Sequence, residues 1–404
     1  MTKVKGMRDY FPEYQSRLNA LIRIIEETYA SYGYVPLDSP AMEELAILVK
    51  KSGPDIEKQI FKVEGKYGLR FDLTVPLARI AATNQFAMPF KRYCIGKVWR
   101  LEEPQKGRFR EFYQADIDII GVKSMRAEAE LLACASRCLE KLGIKFSIMV
   151  NHRQFISKAL EKFGFSKIEE ALRTLDKIDK IGMKKVKDEL KMLGDSEGFI
   201  AFISQAIDMQ SKLETIKKID NTAYTQILEL KELADTYNVS FDIDFSLVRG
   251  LGYYTGMVFE IMAEGFGSSV AGGGRYDNLV GMYGRGACAV GISLGIARLM
   301  EIVDFSKFNI CGTQAYIITD DETYKEGIKL AEKLRNEGLR IEIDLIGRNI
   351  ERQLAEADKK AIPYCIIYCS EEKRKAKAKL KDMKTKTQKE IAIEDLGKAL
   401  KLLC

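Results

Sequence analysis

The sequence predicts an α+β protein: an antiparallel sheet with flanking helices, a helical insertion, and a separate C-terminal α/β domain. Three observations carry that expectation. Residues 90–118 alternate apolar and polar side chains on both sides of a polar loop, the pattern of a β-hairpin with a long tip at 101–108. Residues 166–236 lack proline, and Leu172, Leu175, Ile178, Val186, Leu190, Leu193, Ile200, Ile203 and Ile207 recur there at helical spacing among lysines and glutamates. From about Cys311 the rhythm changes again, to strand, helix, strand, helix, strand.

Taken in order, residues 14–31 read as an amphipathic helix with Leu18, Leu21, Ile22, Ile25 and Tyr29 on one side. Residues 34–40 read as extended, and 69–120 as mostly short strands with a helix near 77–83. Residues 126–142 are a strong helix, followed by a strand at 146–150. After the helical insertion, strands are expected at 240–244 and 256–263, then a glycine-rich segment and a helix near 295–303. In the last block, strands are expected at 315–318, 340–344 and 364–369, with helices at 322–337 and 348–360. Lys377, Lys379 and Lys381 alternate, which would line one strand face with positive charge, as would a solvated edge strand. The domains expected are residues 1–165 and 239–310 for the two parts of a core, 166–238 for the insertion and 311–404 for the α/β domain.

Composition sets the class. The 404 residues are 46% hydrophobic and 30% charged, as in an ordinary soluble globular protein of two or three domains. A net charge of +6 is compatible with a polyanionic partner without requiring one. The first residues lack an apolar stretch of the kind a secretory signal needs, and no apolar run approaches ~18 residues, so neither export nor membrane spanning is expected. The eight cysteines lack CxxC spacing, which favours reduced, buried thiols over a zinc site. His152 is the only histidine, so a histidine-rich metal site is excluded; the residue reads as the opening of a helix.

Chemistry concentrates in three segments. Arg249-Gly-Leu-Gly-Tyr-Tyr-Thr-Gly-Met-Val-Phe-Glu260 and Ala271-Gly-Gly-Gly-Arg-Tyr-Asp-Asn278 both join glycines, where a ligand or another backbone can approach, to an arginine and tyrosines able to bind a polar ligand. Two tight hairpins with incidental Arg and Tyr are the bland alternative. The third is the hairpin 90–118, whose long tip runs Leu101-Glu-Glu-Pro-Gln-Lys-Gly-Arg108. Arg100, Arg108 and Arg110 sit at its inner edges, and Gln114, Asp116 and Asp118 project to one face at period two. Arginine forks grip phosphates; carboxylates and an amide hold a cation or a hydrogen-bond donor. A surface ladder of salt bridges would also fit this segment. Residues 272–275 lack the Gly-Lys-Ser/Thr ending of a phosphate-binding P-loop.

These segments resemble the signatures of the histidyl-tRNA synthetases, within the class II aminoacyl-tRNA synthetase family. The hairpin resembles the second class II motif. Tyr34-Val-Pro-Leu-Asp-Ser-Pro40 is similar to the first, which ends at a dimer interface, and Gly291-Ile-Ser-Leu-Gly-Ile-Ala-Arg298 to the third. The pair at 249–260 and 271–278 is the part specific to histidine. Ile341-Glu-Ile-Asp-Leu-Ile-Gly-Arg348 and Gln353-Leu-Ala-Glu-Ala-Asp358 are similar to the family's anticodon-binding module.

The resemblance implies a class II synthetase-like antiparallel sheet and an anticodon-binding-like C-terminal domain. It implies histidine activation with ATP and Mg²⁺, transfer to tRNA(His), and a cytoplasmic homodimer. Asp72 and Thr74, in Leu69-Arg-Phe-Asp-Leu-Thr74, match the positions that bind the substrate ammonium together with Gln114. Asp118 matches the acid that meets the imidazole, and Tyr253, Tyr254 and Tyr276 the tyrosines of the histidine pocket. Arg249 matches the arginine that meets the α-phosphate and substrate carboxylate. Arg100 and Arg249 would be catalytic; Arg100, Glu102, Arg108, Arg110 and Arg298 would hold ATP; Gln105 would meet the acceptor end of the tRNA. Two positions depart from the pattern. Gly252 stands where the family usually has aspartate, and Glu103 where many bacterial members have arginine. The alternative within this resemblance is a non-charging regulatory paralogue of histidine biosynthesis, which typically lacks the C-terminal domain and has eroded arginines.

Overall fold

The computed structural model describes residues 2–50, 57–103, 109–249, 252–308, 310 and 312–403, with side chains undescribed at 179 and 180. It divides into two compact units, residues 1–308 and 309–404.

The first unit opens with the helix Pro12–Ser31, started by a proline whose missing N–H costs nothing in a first turn. Its strands are β1 (Val35–Pro36), β2 (Met42–Glu44), β3 (Lys62–Val63), β4 (Tyr67–Leu69), β5 (Phe90–Trp99), β6 (Glu111–Ile120), β7 (Phe146–His152), β8 (Asp242–Ile243), β9 (Met257–Ala263), β10 (Ser269–Arg275) and β11 (Ala289–Gly295). Eight of these form the main sheet in the order β1-β5-β6-β11-β10-β9-β7-β8. The six central strands are antiparallel; only the two-residue edges, β1 on β5 and β8 on β7, are parallel. β2, β4 and β3 make a separate small sheet. No helix among the described residues is long and apolar enough to cross a membrane.

The two faces of the main sheet differ in kind. Behind it lie the helices Pro12–Ser31 and Arg126–Lys141. Tyr29 donates its hydroxyl to Ala115 O at 3.0 Å, and Tyr29 and Tyr93 meet ring to ring. Ile117, Ile292 and Leu294 are buried on that side. The opposite face carries Arg92, Gln114, Asp116, Asp118 and Ser293, with glycines between them. Strand periodicity alone sorts these residues: a shift of one position would exchange apolar and polar faces.

Between β7 and β8 runs the helical stretch, Ile168–Leu175, Ile178–Ile181, Met183–Leu190, Ser196–Ile203, Met209–Ile219 and Asn221–Thr236, preceded by Arg153–Lys162. Leu172, Leu175, Val186, Leu190 and Ile203 are buried as their spacing suggested. Phe199 and Phe202, rather than Ile200, fill the centre and stack with Phe155, Phe163 and Phe245. His152 does open a helix: buried, its Nε2 meets Gln226 Oε1 at 2.7 Å, and burial lowers its pKa.

The second unit has strands β12 (Ala315–Ile318), β13 (Ile341–Ile343), β14 (Tyr364–Ile367), β15 (Lys377–Asp382) and β16 (Gln388–Ala392), ordered β13-β12-β14-β15-β16. The first three are parallel, joined by the helices Tyr324–Asn336 and Ile350–Lys359; the last two are antiparallel. The alternating lysines do lie on a strand, but an inner one. Lys379 bonds Glu372 at 2.6 Å and Lys377 bonds Glu390 at 3.4 Å, so part of that face is neutralised.

Candidate active site

The polar face of the main sheet is built around a fully buried arginine. Arg92 on β5 stands across from Asp118 on β6, and their ion pair measures 2.8 Å. Neither residue is more than 2% exposed. Asp118 also accepts the Tyr276 hydroxyl at 2.5 Å. Burial raises the Asp118 pKa, while Arg92 and Tyr276 pull it back. Burial and the facing carboxylate also push the Tyr276 phenol well above its ordinary range, so it stays a donor. A carboxylate offers about four lone-pair sites, so Asp118 retains capacity for one more donor.

Gln114 and Asp116 follow on the same face of β6. Gln114 Nε2 donates to Ser293 Oγ at 2.7 Å, whereas Gln114 Oε1 and Asp116 Oδ1 are buried without a hydrogen-bond partner. Unpaired buried acceptors cost about 1–3 kcal/mol each and suit a ligand that brings donors. Asp72 lies below this group, its Oδ1 accepting Val75 N at 3.0 Å at the start of the helix Thr74–Thr83. Burial raises its pKa to about 6 despite Arg100 nearby. Tyr253 reaches it at 3.5 Å and hydrogen-bonds Thr74. Tyr253 packs on Tyr254 with ring centroids 4.9 Å apart and edge-on to Tyr276 at 5.9 Å. These expected pocket residues are therefore brought together.

Arg249 enters from the segment after β8, which Asn151 anchors by donating to Phe245 O and Leu247 O. Its guanidinium pairs with Glu260 on β9 and bonds Tyr254. It lies flat over β10 at Gly272, where an added Cβ would come within 2.7 Å of Cζ. At Gly291 an added Cβ would overlap the Asp118 carboxylate. Glycine is required here for space, so that two charged side chains can lie on bare backbone.

The arginines of the nucleotide set sit toward the hairpin end. Arg100 donates Nε to Phe71 O at 2.9 Å and stacks over Phe112, with Cζ 5.3 Å from the ring centroid. Arg298 follows β11 and reaches Ser269, with its stem against Gly295. Arg110 donates Nε to the backbone O of Glu102 at 2.9 Å and approaches Glu103 at 3.6 Å. Exposed Glu103 is also salt-bridged to Lys5 at 3.1 Å. Gln105 and Arg108 fall outside the described residues.

One sequence reading needs correction. Arg275, grouped above with ligand-binding residues, points to the back of the sheet. It binds Glu128 through two contacts of 2.6 and 2.7 Å, and Val122 O and Asp277 as well. Its role is structural. Sequence reasoning missed Arg92 and Ser293. Arg92 is cross-strand to Asp118 in the hairpin, but nothing in the sequence marks it as buried; Ser293 carried no signal beyond its motif.

The comparisons with known proteins follow this geometry. A family model described as histidyl-tRNA synthetase matches residues 6–299, and one described as an anticodon binding domain matches residues 312–403. A histidine–tRNA ligase of Porphyromonas gingivalis is 35% identical, with 95% of each chain covered. One of Aeropyrum pernix is 38% identical, covering 89% of this chain and 88% of the relative. The crystal structure of histidyl-tRNA synthetase from Nostoc sp. PCC 7120 superposes with a TM-score of 0.85 at 28% identity, covering 100% of this chain and 99% of that one. With matching motifs, matching domains and near-complete coverage, the chain belongs to the histidyl-tRNA synthetase family.

Proposed function

We propose that this protein is a histidine–tRNA ligase, with the amino acid on the polar face of β6 and ATP toward the hairpin end. The observation that carries the reading is the unmet acceptor Gln114 Oε1, on the same strand face as the Asp118–Tyr276 pair. An α-ammonium supplies the donor that Gln114 Oε1 lacks, and Asp72, Thr74 and Tyr253 border it. At the far end Asp118 accepts an imidazole N–H between the tyrosine rings. An amino acid without that N–H leaves a buried carboxylate unpaired, which is how such a pocket discriminates.

In the first step a histidine carboxylate oxygen attacks the α-phosphorus of ATP, and the bond to pyrophosphate breaks, giving histidyl-adenylate. The nucleophile is already ionised, so no general base is needed; the difficulty is bringing two anions together. Arg249 and Arg100 meet that charge from fixed positions, Arg249 braced by Glu260 and Arg100 by Phe71 O and Phe112. Among the described residues no group of three His, Cys, Asp or Glu side chains could hold a metal. Mg²⁺ would enter with the triphosphate and offset its charge. In the second step a hydroxyl of the terminal tRNA ribose attacks the acyl carbon and AMP leaves.

Residues 166–238 hold the acceptor arm and residues 311–404 read the anticodon, in a cytoplasmic homodimer. The anticodon-binding match over 312–403 counts against the regulatory paralogue, which typically lacks that domain. Histidine-dependent ATP–pyrophosphate exchange tests the reading. Exchange with histidine alone among the twenty amino acids is expected; exchange with none, or with another, overturns it.

A further inference from the structure

We propose that Asp116, acting through Ser293, is a positioning residue that fixes the Gln114 amide with its oxygen turned toward the substrate ammonium. The proposal rests on the histidine site described above and adds a relay to it.

Asp116 and Ser293 are cross-strand partners on β6 and β11, and Gln114 stands across from Gly295, where no side chain intervenes. The Ser293 hydroxyl stands across the strands from Asp116, where it favours the ionised carboxylate, and it meets Gln114 Nε2 at 2.7 Å. A hydroxyl has one hydrogen to give. Above about pH 7 the Asp116 carboxylate is ionised and can only accept, so there the serine hydrogen goes to Asp116. The serine oxygen is left to accept, and the glutamine can satisfy it only with its NH₂ end. Its Oε1 must then face elsewhere, and it is the atom that lies buried with no protein partner.

The chain of donors therefore runs from Gln114 to Ser293 to Asp116. A side-chain amide has two orientations of nearly equal shape, and only one accepts from an ammonium. Without the carboxylate the serine hydroxyl is released to donate to Oε1. The amide then turns over and presents NH₂ to the substrate, donor against donor. Asp116 thus serves binding without touching the ammonium, which explains a buried acid in the middle of the site, 3% exposed and across from no basic residue in its strand register.

The experiment is a double-mutant cycle, Asp116→Asn, Ser293→Ala and the pair, read by ATP–pyrophosphate exchange in the full chain at pH 8.5, where Asp116 is ionised. Each single variant is expected to raise the KM for histidine roughly tenfold, the worth of one misdirected hydrogen bond to a charged group, with the KM for ATP and kcat near wild type. The double variant should be no worse than Ser293→Ala alone, because both break one relay. Penalties that multiply, or an Asp116→Asn variant with unchanged histidine KM, overturn the relay. A merely structural role would move kcat and both KM values together, and that result also overturns it. Should Ser293→Ala lose its fold, Ser293→Cys keeps the volume with a weak donor and carries the same test. Wild-type exchange separates the two claims. If the wild type activates no histidine, the function fails; if it does and the variants match it, only the relay fails.

Discussion

Gly272→Ala isolates the value of placing Arg249. The strand residue Gly272 adopts no left-handed backbone, so an alanine there is unstrained, and the atoms nearest the added methyl are those of the Arg249 guanidinium, Nη1 and then Cζ at 2.7 Å. Carbon–carbon contacts settle near 3.5–4.0 Å, so the guanidinium must lift by about 1 Å. The side chain is long and ends at the ligand-facing surface, so the fold absorbs that shift with a stability change of about 1 kcal/mol or less. Catalysis does not: a displacement of about 1 Å in a group aimed at a transition state costs on the order of 100-fold. The expected result is a melting temperature within a few degrees of wild type and kcat for histidine-dependent exchange down about 100-fold. Exchange at the wild-type rate would show that Arg249 does not act where its guanidinium lies, and would refute the reasoning.

Three further outcomes follow from the same geometry. Asp118→Asn should raise the histidine KM at least about tenfold and leave the ATP KM unchanged, because one buried charged hydrogen bond is lost; equal effects on both substrates would remove Asp118 from the pocket. Burial raises the Asp116 pKa to about 7, with Arg92 opposing the shift and Asp118 and Asp72 adding to it. The folded state therefore binds its proton more tightly than the unfolded chain, and stability falls as pH rises from about 4 through 7. Asp116→Asn should accordingly melt higher than wild type at pH 8.5, with the gap closing toward pH 4; a pH-independent gap would contradict the cause. A chain ending near residue 309 should retain histidine-dependent exchange while tRNA charging falls sharply through weaker tRNA binding, and undiminished charging would show that residues 311–404 do not read the tRNA.

The strands and helices with clean periodicity were legible. The hairpin 90–118, the helix 126–142 and the βαβαβ order of the last block all correspond to observed elements. β10 and β11 were hidden because their glycines carry little strand propensity. Those glycines are set by tertiary need, giving room to Arg249 above β10 and to Asp118 beside β11. The site divides similarly. Gln114, Asp116 and Asp118 could be aligned by period two alone. Arg92 could not be distinguished from a solvent-facing strand arginine until its burial was known, and Arg275 looked like a ligand-binding residue until Glu128 was found behind it. Which charge lies inside depends on what packs against each face, and one strand's pattern carries no record of that neighbour.

Charging of total tRNA by the full-length protein is the most direct measurement of the central claim. Labelled histidine, ATP and Mg²⁺ should yield a base-labile histidyl ester on tRNA, reaching a plateau set by the tRNA(His) present, while the other nineteen amino acids give none. Histidine-dependent exchange without any esterified tRNA, or charging with a different amino acid, would contradict the account.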